Sequence, residues 1–294
     1  MDTAEAGPGA LSTKYIGQKT VASSFHLTPR LIMAYAASIK DANPRYFDDL
    51  NGPLTGHPFL AFAFQWATRF SPQVPPNPRA APYGVHVSTD LRLTRPLCEN
   101  DLITMQGQVM STRAIRPGVL QLSRYTMTDG SGTLIGELDQ ESITRGATLE
   151  GEPKTQGESP PVPQAPIHSE PLWTQEIEIT PDAAQIYTEC ADIYNPIHTE
   201  RRAAVEAGLP DVILHGSATQ AIACSALVNH CLDGEVKQVR RFVGALRAMV
   251  LLDSTLTLRC LAEVDRENGR DIFFDLLNAD GQPAIAGGYL RVEP

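Results

Sequence analysis

Two segments of this chain have no polar face. Residues 58–69 carry Phe59, Leu60, Phe62, Phe64 and Trp66, and residues 216–230 carry Ala218, Ala221, Ile222, Ala223, Cys224, Ala226 and Leu227. A helix that is apolar nearly all round must be buried on every side, so each of these needs a wrapper. Much of the remaining sequence alternates with period two. Such segments are Gly84–Leu93, Leu102–Met110, Leu120–Thr128 and Glu141–Arg145, then Gln238–Ala248, Thr255–Glu263, Asp271–Leu277 and Tyr289–Val292. Period two marks strands with one face on a core. Asn268-Gly269 and Asp280-Gly281 read as tight hairpin turns, which makes the pairing sequential and antiparallel. The expected class is α+β, with two units that each wrap a buried helix in a curled antiparallel sheet.

The two units read as one unit written twice. Tyr35 to Tyr46, containing Asp41, Asn43 and Pro44, echoes Tyr187 to His198, and the two Asn-Pro steps stand 152 residues apart. Asp129-Gly130 echoes Asp280-Gly281 at 151, and residues 101–105 resemble 254–258. Thr28-Pro29 and Thr180-Pro181 each open a short helix ahead of the Asn-Pro step, with Thr as cap and Pro in the first turn. The expected organisation is a first half over 1–148, a Pro-, Gly- and Glu-rich linker over 149–169 and a second half over 170–294.

The second half holds the words that carry chemistry. These are Asp192-Ile193-Tyr194-Asn195-Pro196-Ile197-His198, followed by Leu214-His215-Gly216. They resemble the MaoC-like, hydratase 2 family of (R)-specific enoyl-CoA hydratases and dehydratases. The resemblance implies a double hot-dog fold, a long buried helix wrapped by antiparallel sheet in each half. It also implies reversible hydration of an enoyl thioester, with the motif histidine and a nearby aspartate holding the water. On that basis His198 is the general acid–base group, because an imidazole exchanges protons near neutral pH. Asn195 is the positioning amide, although Asn before Pro is equally an ordinary turn former. Gly216 offers a free N–H at the positive end of the second buried helix and would receive the carbonyl oxygen. The family's acid falls two residues before the Asn, where this chain has Ile193. Asp192 stands three before, as if the loop had slipped by one. It either reaches the site through a different bend or pairs with Arg201 or Arg202. His215 reads as a structural partner of the loop. In the first half Tyr46 stands in the place of His198, and Pro58, which lacks an N–H, in the place of Gly216. That half is expected to be silent and to shape the acyl tunnel.

Composition removes other classes. A formal net charge of −10 argues against nucleic acid. Five cysteines without CxxC spacing argue against a disulfide framework or thiolate metal site and fit a reducing compartment. No cofactor is expected beyond coenzyme A or an acyl carrier protein as thioester carrier, and no metal, since the histidines lack HxH or HExxH spacing. Arg240, Arg241 and Arg247 are candidates for the carrier's phosphates. No apolar run is of bilayer length, and Asp2 and Glu5 disfavour a leader, so no membrane partner is expected and the cytosol is the default. A homodimer is the expected assembly. Two rival readings remain: a double-bond isomerase or polyketide-type lyase using His198 alone, and a silent acyl-thioester binder. A thioesterase fits less well, because 216–230 holds no acid.

Overall fold

A computed structural model describes residues 7–166 and 170–294 of the protein. Asp2 and Glu5, and the end of the expected linker at 167–169, lie outside them. The first half contributes strands β1 (Ser23–His26), β2 (Gly84–Leu93), β3 (Leu102–Ile115), β4 (Gly118–Thr128) and β5 (Leu134–Arg145). The second contributes β6 (Trp173–Ile179), β7 (Val239–Leu246), β8 (Ser254–Arg266), β9 (Gly269–Leu277) and β10 (Pro283–Val292). With the edge strand Lys154–Thr155 they form one eleven-stranded sheet, ordered 154–155, β3, β4, β5, β2, β7, β10, β9, β8, β6, with β1 also on β3. The halves meet where β2 and β7 pair antiparallel, Phe242 opposite Leu91. Most strands run longer than alternation alone indicated, although Gly84–Leu93 is as expected and β7 is shorter than 238–248; β1 and β6 escaped it because both lie on an edge and are largely exposed.

The helices are α1 (Pro29–Ser38), α2 (Leu60–Thr68), α3 (Ala183–Ala191), α4 (Arg201–Glu206) and α5 (Gly216–Cys231). Every residue of α5 from Ser217 to Val228 is buried, as is α2 from Leu60 to Gln65. A helix with no polar stripe is thus enclosed in each half. The first is shorter than expected, because Pro58 and Phe59 are held in a turn by the Phe59 N–H donating to His57 Nδ1 at 3.1 Å. Thr28 caps α1 by accepting from the Leu31 N–H at 3.3 Å. Thr180 does not cap α3, which begins two residues beyond Pro181, and the Thr180 hydroxyl is buried without a hydrogen-bond partner among the described residues. Helices α1 and α3 pack where the two halves mirror each other, the hydroxyls of Tyr35 and Tyr187 hydrogen-bonding at 3.1 Å.

Two details of the repeat need correction. The loop between β8 and β9 is Glu267-Asn268, with Gly269 opposite Arg266 as the first strand residue. In the other turn, Asp129 corresponds to Asn278 rather than Asp280. Asp129 and Asn278 each accept from the backbone N–H groups two and four residues on. Gly269 has φ +104°, and a Cβ there would lie 2.0 Å from the Val292 carbonyl oxygen. Gly269→Ala is therefore expected to cost about 1–3 kcal/mol, measured as a lower urea midpoint.

The segment 158–161 straps the β2–β7 seam from outside. Arg241 grips Asp90 through two bonds of 2.9 and 2.8 Å and donates to the carbonyls of Pro160 and Pro161 at 2.7 and 3.0 Å. Asp139 accepts from Ser159 at 2.6 Å and from Arg124 at 2.7 and 2.8 Å. Arg241 is committed to this seam, and Arg240 to Glu293 and three backbone carbonyls. Neither is left for a carrier phosphate. Among the described residues no helix is long and apolar enough to cross a membrane.

Candidate active site

His198 ends a short turn, Pro196–His198, that follows α3. Its Nδ1 lies 2.8 Å from the carbonyl oxygen of Ile213. A carbonyl only accepts, so Nδ1 carries the proton and Nε2 presents a lone pair. Burial lowers the His198 pKa from 6.5 to about 4, partly offset by the bond to Ile213, so the ring is neutral at physiological pH. The ring stacks on His215 with centroids 3.8 Å apart, and His215 directly precedes Gly216, the first residue of α5. His215 Nε2 faces the Ile193 carbonyl and the Thr188 hydroxyl, each at 3.2 Å, tying the motif loop to α3. Burial first, and then His198, push its pKa down to about 2. The structure thus sets a neutral imidazole with one open nitrogen beside the positive end of a buried helix.

Protonation of these rings opposes folding. Each folded pKa lies below 6.5, so the unfolded chain binds more protons between the two values and stability rises with pH there. His57, buried and lowered to about 4 by desolvation, corresponds alone to on the order of 3 kcal/mol. The melting temperature is expected to hold above pH 6.5 and fall as pH drops towards 4, as calorimetry at several pH values would record.

Gly216 is crowded. A Cβ there would meet Leu246 Cδ1 at 2.4 Å and His86 Nδ1 at 3.3 Å. Leu246 ends β7, whereas His86 comes from β2 of the other half. The chain beyond Leu246 continues past the same place, Leu251 bridging to Ile213 and Leu214 N–H donating to the Val250 carbonyl at 2.9 Å.

Asp192 is not brought to His198. It is exposed in the left-handed conformation, φ 54°, as the C-cap of α3, and its carboxylate bonds to none of the described residues. Arg201 pairs with Asp211 instead, at 3.4 Å. The loop has not slipped. In the first half Lys40 takes the same left-handed position, φ 55°, and the next residue, Asp41, bonds through its N–H to Ala36 O just as Ile193 does to Thr188 O, both at 3.0 Å. The left-handed residue turns outward and its successor inward, so Ile193 holds the inward place and Asp192 is the counterpart of Lys40.

The acid missing from the second half therefore stands in the first, as Asp41. It is enclosed there: Asp41 Oδ1 accepts from Asn43 N–H at 3.1 Å and from Asn229 Nδ2 at 3.0 Å. Asn43 Nδ2 donates to Gly234 O at 2.8 Å, Tyr46 is fully buried, and His57 donates from Nε2 to Ser225 at 3.1 Å. With His57 Nδ1 taken by the Phe59 N–H, neither ring nitrogen is open. Asn195 differs from Asn43: it is half-buried and its amide caps nothing, leaving only its carbonyl to accept from the His198 N–H at 3.0 Å.

With this geometry in place, residues 163–274 match the family described as MaoC like domain. The match begins in the linker and ends within β9. Asp192, Asn195, His198 and Gly216 fall inside it, while Asp41 and His86 fall outside. Enoyl-CoA hydratase 2, peroxisomal, of Arabidopsis thaliana is 26% identical over 182 residues, 58% of this chain and 56% of that protein. The 3-hydroxyacyl-thioester dehydratase X of Mycobacterium tuberculosis is 28% identical over 181 residues, 62% of this chain and 60% of that one. The chain thus spans somewhat more than half the length of these relatives. A MaoC-like dehydratase from Phytophthora capsici superposes with TM-score 0.79 at 20% identity, covering 96% of this chain and 99% of that one. A Mycobacterium tuberculosis protein described as having a double hot-dog fold gives 0.64 at 14%, covering 95% and 96%. The two halves together form a double hot-dog.

Proposed function

We propose that the protein adds water reversibly across the C2–C3 double bond of an enoyl thioester, giving a 3-hydroxyacyl thioester. The observation that carries this reading is the open Nε2 of neutral His198 beside the tip of α5. In hydration, Nε2 takes a proton from water as the water oxygen bonds to C3. The displaced electron pair moves into the thioester carbonyl, whose oxygen the Gly216 N–H receives. The imidazolium then returns that proton to C2, and dehydration runs the same path backwards. One neutral imidazole closes the cycle, so atoms and charge balance without a second base. Asn195, whose amide is uncommitted, steadies the water. The (R) configuration at C3 is what the family resemblance implies; delivery of both groups from one side sets only the relative geometry at C2 and C3.

In this reading residues 170–294 carry the chemistry, 149–169 link and strap, and 1–148 form the half that shapes the acyl tunnel. The carrier is coenzyme A or an acyl carrier protein, the assembly a homodimer and the compartment the cytosol. The names of the two relatives, a hydratase and a dehydratase of acyl thioesters, support the reaction class. The exposed Asp192 favours a second reading, a double-bond isomerase in which His198 alone carries a proton along the chain.

The test is a panel of trans-2-enoyl-CoA esters followed by enoyl absorbance and product chirality. Loss of absorbance with (R)-3-hydroxyacyl product supports hydration. A moved double bond without added water supports isomerisation, and binding without turnover means a silent binder. Because His198 is neutral down to about 4, kcat/KM is expected to hold between pH 6.5 and 5 and fall only near 4.

A further inference from the structure

His86 is held from behind and open in front. Its Nε2 lies 3.0 Å from the Ser88 carbonyl and 2.9 Å from the Thr89 hydroxyl. Thr89 spends its own proton on Gln220 Oε1 at 2.7 Å, and Gln220 Nε2 donates to the Gly244 carbonyl at 3.1 Å. Each partner in this chain has one role left to it, so Nε2 carries the proton and Nδ1 is a lone pair. The chain is anchored in the core: Thr89 and Gln220 are buried, Gln220 within α5 itself. Nδ1 has no hydrogen-bond partner among the described residues and faces Gly216, 3.3 Å from where a side chain there would begin.

A bare acceptor beside an oxyanion donor repels the oxyanion unless a substrate hydrogen sits against it. The water that adds to C3 has two hydrogens, and His198 takes only one. The other stays on oxygen as the 3-hydroxyl, four bonds from the carbonyl oxygen along the O–C1–C2–C3–O path. Elsewhere in the second half that hydrogen finds no carboxylate, because Ile193 holds the inward place and Asp192 is exposed.

We infer that His86 Nδ1, from the first half, accepts the hydrogen that remains on the 3-oxygen and so orients the attacking water and recognises the 3-hydroxyl product. This rests on the proposed hydration reaction. No charge is created and no further proton moves: the O–H bond facing His86 stays intact while the other breaks towards His198. The first half thereby completes the site of the second.

The experiment compares inhibition by a 3-hydroxyacyl-CoA and by the saturated acyl-CoA of equal length, alongside turnover. A site built to bond a hydroxyl discriminates against the analogue lacking it. Wild-type protein is expected to prefer the hydroxy ester by about tenfold or more. In His86→Gln the amide nitrogen keeps the bond to Ser88 but nothing accepts in front, so the preference disappears and kcat falls about 10–100-fold. In His86→Asn the amide oxygen replaces Nδ1, so part of the preference and of kcat returns even though the rear bond is lost. A purely structural role predicts the opposite order, with Gln the milder change, and that result overturns the inference. So does a wild-type preference retained in both variants, while turnover by the wild type still upholds the hydration reading. Absence of wild-type turnover on every enoyl ester ends both.

Discussion

Replacing His198 by Asn is expected to lower kcat/KM for an enoyl thioester by about 10²–10⁴-fold, the usual worth of a positioned general acid–base group. The side chain serves two purposes that the substitution separates. Its Nδ1–H donates to Ile213 O and pins the motif loop to the strand-like stretch before α5. Its Nε2 is left open, whereas His215 turns its Nε2 to Ile193 and Thr188 and has its Nδ1 buried. An Asn amide nitrogen reaches the Nδ1 position and can keep the loop, but it exchanges no proton near neutrality. Stability should therefore change by about 1 kcal/mol or less, the worth of one hydrogen bond, while turnover collapses. Equal losses of stability and activity would mean that the ring only packs.

Gly216→Ala is expected to lower kcat by about 10²–10³-fold, as does removing an oxyanion donor, with the N–H still present. The added methyl would meet Leu246 Cδ1 at 2.4 Å and His86 Nδ1 at 3.3 Å. The Leu246 tip would have to swing aside, and the methyl itself would stand beside the N–H that receives the carbonyl. His86 cannot retreat, because Ser88, Thr89 and Gln220 hold it. Ala is the better helix former by about 1 kcal/mol, which offsets part of the overpacking cost, so the folded state should survive. A fully active Gly216→Ala variant would remove Gly216 from the carbonyl's path.

What the sequence revealed was local in origin. The enclosed helices were visible because α5 and α2 carry no charged stripe, and the pairing of β8 with β9 because a turn sits between two alternating runs. His198, His215 and Gly216 lie within one stretch of chain, and the family resemblance carried by that stretch brought them together. Asp192 could not be placed in this way. Its direction depends on which residue takes the left-handed cap, and that becomes plain only when Lys40-Asp41 is laid against Asp192-Ile193. The likeness of those pairs was present in the 152-residue repeat, but an aspartate beside the motif left both a site role and an arginine pairing open. His86 was invisible for a different reason. It is one residue of an alternating strand, and its meaning comes from Gly216, 130 positions away, across a seam between halves that no local pattern encodes. Tyr46 and Pro58 gave the expectation of a silent first half, but that half's grip on the second, Asn43 to Asn229 and Gly234, left no mark in the sequence.

Nitrogen-15 NMR of the histidine side chains, titrated with a saturated acyl-CoA that cannot react, examines the arrangement most directly. The result anticipated is a neutral residue 198 with its proton on Nδ1 down to pH 5, together with a shift of the Gly216 amide as ligand is added. A charged or Nε2-protonated ring at pH 7, or a Gly216 amide indifferent to bound ligand, would contradict the account.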